Sequence, residues 1–78
     1  MNREYSVERL AHLMQKMYKI SFGEAYDIVR EMLWTISDTR DWMMQRGAST
    51  KEIRQAMRSI FQDYTGLSAD GWIEHLFD

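Results

Sequence analysis

The sequence predicts an all-α fold: a small single-domain bundle over residues 1–78, with four helices, or five if the second is interrupted. Three observations predict it. Apolar residues recur at three- and four-residue steps, the spacing of amphipathic helices. Proline is absent, so no helix is broken or kinked by a proline ring. The apolar–polar alternation of a strand is missing, and 78 residues suit one domain.

The first helix is predicted over residues 6–19. Ser6 is a suitable N-cap, and Glu8 lies in the first turn, where a carboxylate favours the helix dipole. The apolar positions that repeat at helical spacing are Val7, Leu10, Ala11, Met14, Met17 and Tyr18.

The second helix is predicted over residues 22–46. Ser21 and Glu24 have the spacing of a capping box, in which each side chain bonds the other residue's amide. Gly47 is a plausible left-handed residue after its end. The polar segment 37–39 either interrupts this helix or forms the polar side of one long helix. The apolar side consists of Ala25, Ile28, Val29, Met32, Leu33 and Ile36.

The third helix, over residues 50–65, has the clearest pattern in the chain. Ser49 and Glu52 form a second capping box, and Gly66 ends the helix. Its apolar stripe consists of Ile53, Ala56, Met57, Ile60, Phe61 and Tyr64.

A short last helix is predicted over residues 69–77. Ser68 would be its N-cap, and Leu67 would pack against Trp72 as a hydrophobic staple. Such a helix would close one end of the bundle.

Composition argues against most catalytic classes. Cysteine is absent, which removes thiolate zinc sites and redox motifs. The only histidines, His12 and His75, lie in no metal-binding motif, and no nucleophile or phosphate-loop motif is present. The acidic pairs Asp27/Glu31 and Asp38/Asp41 have helical spacing but are more often solvated than catalytic. We therefore expect no enzyme activity, no cofactor and no bound metal.

The chain contains no apolar run near 18 residues and no secretion leader. We expect a protein without membrane contact, located in the cytoplasm, with which the absence of cysteine is compatible.

The third helix carries a candidate nucleic-acid face. Between residues 40 and 58 there are five Lys or Arg against two acids, although the whole chain has a net charge of −2. Projected at about 100° per residue, one side of this helix lacks carboxylates and faces away from the apolar stripe. This candidate face consists of Lys51, Arg54, Gln55, Arg58 and Gln62.

The turn before that helix resembles part of a helix-turn-helix, with Ile53 at the buried aliphatic position. Met43 and Arg46, however, occupy positions where that motif usually has a small and an aliphatic residue. A pI of 5.6 also argues against general nucleic-acid affinity. Nucleic-acid binding is therefore the alternative function.

Protein binding is the function that the aromatic content favours. Three Trp and four Tyr exceed what a core of this size needs, and both residue types are enriched in interface hot spots. Trp34 lies off its helix stripe, and Trp42, Met43 and Met44 cannot all face one core. The candidate protein-interface residues are Trp34, Trp42, Met44, Trp72 and Phe77.

The last helix could instead fit a partner's groove, because Asp70, Glu74 and Asp78 surround its apolar residues. Of the seven methionines, five are expected to fill the core: Met14, Met17, Met32, Met43 and Met57. The sequence thus predicts a small non-catalytic regulatory or accessory protein that binds another protein, and a homodimer is a natural expectation.

Overall fold

Two helices pack on the long second helix, and a short fourth helix closes the bundle. The computed structural model describes residues 3–77, and Asp78 lies outside them. The helices are α1 (Arg3–Tyr18), α2 (Phe22–Gln45), α3 (Thr50–Thr65) and α4 (Trp72–Phe77). α1 and α3 contact α2 extensively, and α4 contacts α1. The all-α prediction is confirmed, and over the described residues the bundle has four helices rather than five.

The start of α1 differs from the prediction. The helix begins at Arg3 rather than at residue 6, and Ser6 is buried within it at 1% exposure, so Ser6 is not an N-cap. The first turn is held by neighbouring helices: the Tyr26 hydroxyl donates to the Glu4 carboxylate, and the Arg3 guanidinium lies 5.4 Å from the centre of the Phe77 ring. These tertiary contacts extend the helix beyond its local cap signal.

Helix α2 runs without interruption through segment 37–39. Just before that segment, the Thr35 hydroxyl bonds the Glu31 carbonyl and lies 3.1 Å from the Tyr64 hydroxyl of α3. The helix ends at Gln45, one residue before the predicted end, and Gly47 has the predicted left-handed backbone, with φ of 77°. The Gly47 amide bonds the Met44 carbonyl and the Ala48 amide bonds the Met43 carbonyl, the two bonds of a Schellman motif.

The core lies where α1, α2, α3 and α4 meet, and the predicted stripes supply most of it. Its buried members are Val7, Leu10, Ala11, Met14, Ala25, Val29, Met32, Leu33, Ile36, Met57, Phe61, Ala69, Ile73 and Leu76. Met14, Met32 and Met57 fill the core as expected. Met17 does not fill the core, because its side chain is 47% exposed. Met43 is half-buried.

Helix α3 has the predicted bounds and a complete capping box at Ser49 and Glu52. At its end Gly66 has φ of 70°, and a side chain there would meet the Tyr18 hydroxyl. That hydroxyl donates to the Thr65 carbonyl at 2.6 Å. Gly66 is therefore required both by the left-handed backbone and by the close approach of α1.

The start of α4 also differs from the prediction. The helix begins at Trp72 instead of residue 69, because residues 69–72 form a turn in which the Trp72 amide bonds the Ala69 carbonyl and Gly71 has φ of 79°. Ser68 still accepts a bond from the Asp70 amide, at 3.4 Å, so it stabilises that turn rather than the helix itself.

Candidate interaction surfaces

The side of α2 that faces solvent carries two tryptophans among acids. At about 100° per residue, seven positions of α2 between residues 27 and 45 fall within an arc of about 100° opposite the core. We call them the α2 outer face: Asp27, Glu31, Trp34, Asp38, Asp41, Trp42 and Gln45, all exposed and with no Lys or Arg among them. Trp34 is 69% exposed and Trp42 is 56% exposed. The face therefore combines aromatic surface with negative charge.

Arginines contact this face from its edges. The Arg46 guanidinium lies 4.2 Å from the centre of the Trp42 ring, a cation–π contact that covers one side of the indole. Arg40 pairs with Asp41 at 3.5 Å. Trp34 borders a depression of about 320 Å³ between α1 and α2, which Arg3 and Arg30 also line.

The predicted nucleic-acid residues do lie together on α3. Lys51, Arg54, Gln55, Arg58 and Gln62, with Ser59, line a depression of about 490 Å³ on the side of the helix away from the core. We call these six residues the α3 basic face. None of the six residues is a carboxylate, but the folded chain places the Glu74 carboxylate of α4 at the edge of the face, 3.6 Å from Arg54 and 3.8 Å from Arg58. Three cations with one carboxylate at the edge leave a positive surface.

A third surface is an apolar groove at the junction of α2, α3 and α4. Its volume is about 370 Å³, and the buried Met57 lies at its base. Met44, which is 60% exposed, lines one side, and Arg40 and Arg54 lie among its polar residues. The other lining residues are Ala48, Thr50, Ile53 and Phe77.

Trp72 and Phe77 take part in the fold itself. Trp72 is half-buried, with its ring centre 6.1 Å from that of the buried Phe61. Phe77 is half-buried against the core, with Arg3 and Arg40 about 5.5 Å from its ring centre. Of the five candidate protein-interface residues, the structure thus places Trp34, Trp42 and Met44 on the surface and uses the other two to attach α4.

Histidine and carboxylate side chains are the potential metal ligands among residues 3–77. No group of three or more His, Asp or Glu there is placed to hold a metal ion. His12 stacks on Phe22, with ring centres 4.5 Å apart, and His75 is exposed on α4. None of the helices in this range is long and apolar enough to cross a bilayer.

Sequence reasoning missed two features of these surfaces. The acids of the α2 outer face were recognised only as isolated pairs, although their spacing already placed them beside Trp34 and Trp42. The contact of Glu74 with Arg54 and Arg58 had no local signal, because the residues are at least 16 positions apart and meet only in the folded chain.

No known protein family, curated protein or solved structure matches this chain. The surfaces themselves are therefore the basis for a functional proposal.

Proposed function

We propose that this chain is a small, non-catalytic regulatory or accessory protein that binds another protein through the α2 outer face. The observation that carries the proposal is the exposure of Trp34 and Trp42, at 69% and 56%. Exposed aromatic side chains grouped on one face are typical of interaction sites, and Trp is one of the residue types most enriched in binding hot spots.

The arrangement of the face supports this role. The two tryptophans are eight residues apart, so their backbone positions differ by about 12 Å along the helix axis. Asp38 and Asp41 lie between them and can provide the polar rim that surrounds apolar anchors in interfaces. A capped, uninterrupted helix of 24 residues presents these side chains on one element.

The test is binding of the partner by the variant Trp34→Ala/Trp42→Ala. Partners captured from an extract of the native host, after nuclease treatment, are identified by mass spectrometry and their binding is measured with purified proteins. We expect affinity to fall at least tenfold for the variant, because hot-spot tryptophans contribute about 2 kcal/mol or more each.

The matched control is Tyr5→Ala/Leu13→Ala, which removes two exposed apolar side chains from α1. This control should bind like wild type. Equal affinity of wild type and the tryptophan variant for every purified partner would refute the proposed role of the α2 outer face.

Nucleic-acid binding by the α3 basic face is a second candidate. It is favoured by the carboxylate-free lining of the depression around Lys51, Gln55 and Arg58. If it is correct, Lys51→Glu/Gln55→Glu should abolish binding to a DNA or RNA duplex, and wild-type affinity should fall steeply with salt. Fluorescence anisotropy measures both effects. An absence of binding at low salt would eliminate this candidate.

A further inference from the structure

We propose that the partner of the α2 outer face is a second copy of this chain, which docks with its α3 basic face. The inference rests on the proposed function and adds the identity and the geometry of the partner. One molecule therefore carries both halves of the contact, on two different helices.

Charge complementarity is the first argument. The α2 outer face contains four acids, Asp27, Glu31, Asp38 and Asp41, and no cation. The α3 basic face contains Lys51, Arg54 and Arg58 and no acid, with Glu74 at its edge. Two α2 outer faces would bring eight carboxylates together, and like charges across an interface disfavour that pairing. The acidic face therefore favours the basic face of another copy.

The chemistry of the side chains is the second argument. The α3 basic face is a depression of about 490 Å³ lined by the long stems of Lys, Arg and Gln. Such stems pack on indole rings, and their cationic ends bind above the ring face. The chain already contains this contact, since Arg46 covers one side of Trp42 at 4.2 Å. Trp34 presents the same ring chemistry without that cover.

The spacing along the two helices is compatible as well. Asp38 and Asp41 are three residues apart, about 4.5 Å along α2, whereas Arg54 and Arg58 are four residues apart, about 6 Å along α3. Long arginine side chains absorb a difference of this size.

The contact is heterologous, because it joins two different faces. Each copy that uses its α2 outer face keeps its α3 basic face available, so the association extends from copy to copy unless the geometry closes a ring. Standard interfaces bury at least about 1,200 Å² of total surface. We expect a contact between two single helix faces to bury no more than this lower limit. We therefore expect a weak, salt-sensitive association.

The test is sedimentation velocity of the full chain from low to high micromolar concentration. The α2 variant is Asp38→Lys/Asp41→Lys, and the α3 variant is Lys51→Glu/Gln55→Glu, whose residues take no part in the Glu74 ion pairs. Wild type should show an average mass that rises with concentration at low salt. This rise should disappear in 1 M salt, where the Debye length is about 3 Å. Each variant alone should be monomeric.

The decisive molecule is the quadruple variant, which places two lysines on the α2 outer face and two glutamates on the α3 basic face. Each face then has no net charge, but opposite charges can again pair at the substituted positions. The net charge of this variant differs from wild type by one unit, because the α2 changes add four charges and the α3 changes remove three. Its association should recover in part, relative to either variant alone, because the introduced groups can pair with each other. General attraction between oppositely charged molecules cannot explain such a recovery. Two charge-matched controls, Glu8→Lys/Asp63→Lys and Gln15→Glu/Lys16→Glu, should associate like wild type.

Monomeric wild type at every concentration would overturn the inference, while loss of a different partner by Trp34→Ala/Trp42→Ala would leave the proposed function intact. Self-association that persists in both the α2 and the α3 variants, or that the quadruple variant does not restore even in part, would also overturn it. Circular dichroism of each variant verifies that helicity is unchanged.

Discussion

The C-terminal helix α4 and the outer face of α2 both carry tryptophan beside carboxylates, yet the structure uses them in opposite ways. Trp72 packs against Phe61 and attaches α4 to the bundle, with Glu74 close to Arg54 and Arg58. Trp34 and Trp42 remain exposed on a helix whose other side is fully committed to the core. The tryptophan and the glutamate of α4 therefore have partners within the bundle, whereas the tryptophans of the α2 outer face are exposed to solvent.

This difference indicates where an interaction surface can exist. A short helix of six residues has no stability of its own, so its apolar side chains must be buried against the bundle. A long helix that is already packed on α1 and α3 keeps its shape whether or not its outer face is covered. Aromatic residues can therefore be devoted to binding on α2 but not on α4.

The largest expected effect separates the two regions directly. Trp72→Ala should lower the free energy of unfolding by about 2–4 kcal/mol, because it removes the ring that stacks on Phe61. The midpoint of thermal unfolding should fall by roughly 10 °C or more in a domain of this size. Trp34→Ala, measured in the same way, should change the free energy of unfolding by no more than about 0.5 kcal/mol. Equal losses in the two variants would contradict the comparison.

An intermediate effect is expected at the turn that leads toward α4. Gly66→Ala should lower the free energy of unfolding by about 2–3 kcal/mol, because φ of 70° strains alanine and its Cβ displaces the Tyr18 hydroxyl from the Thr65 carbonyl. Gly47→Ala is the matched control, since φ is 77° but no atom lies within 4 Å of the added Cβ. It should cost about 1 kcal/mol. Urea denaturation measures the difference, and equal costs would show that the Tyr18 contact contributes nothing.

The smallest effect concerns the charges that connect α4 to α3. Glu74→Gln should change the free energy of unfolding by less than about 1 kcal/mol, because all three ion-pair side chains are more than a third exposed. The change should shrink further at high salt. Denaturation at two salt concentrations tests this expectation. A loss above about 2 kcal/mol would mean that ion pairs, rather than Trp72 and its apolar neighbours, hold α4 in place.

The helical architecture could be predicted because its signals are local. The capping box at Ser49 and Glu52 forms as expected and fixes the start of α3, and Gly66 ends that helix. The spacing of apolar residues also identified most of the core, since burial follows the helical repeat. Exposure of Trp34 followed from the same repeat, because it lies outside the stripe that α2 buries, and the run of Trp42, Met43 and Met44 predicted that at least one of the three would be exposed.

The tertiary structure alone decided the features in which distant residues compete with a local signal. Ser6 is a good N-cap by type, but Glu4 and Arg3 contact α2 and α4, so α1 begins earlier. Segment 37–39 could have been a break, but α2 runs through it without interruption.

The chemistry of the candidate surfaces divides in the same way. By itself the sequence determined which residues lie on the outer faces of α2 and α3, because position around a helix depends only on the helical repeat. Only the folded chain brought Glu74 beside Arg54 and Arg58, and only the folded chain used Trp72 internally while Trp34 stayed exposed. The physical reason is that charge pairing and aromatic burial depend on distances between helices, which a helical repeat does not encode.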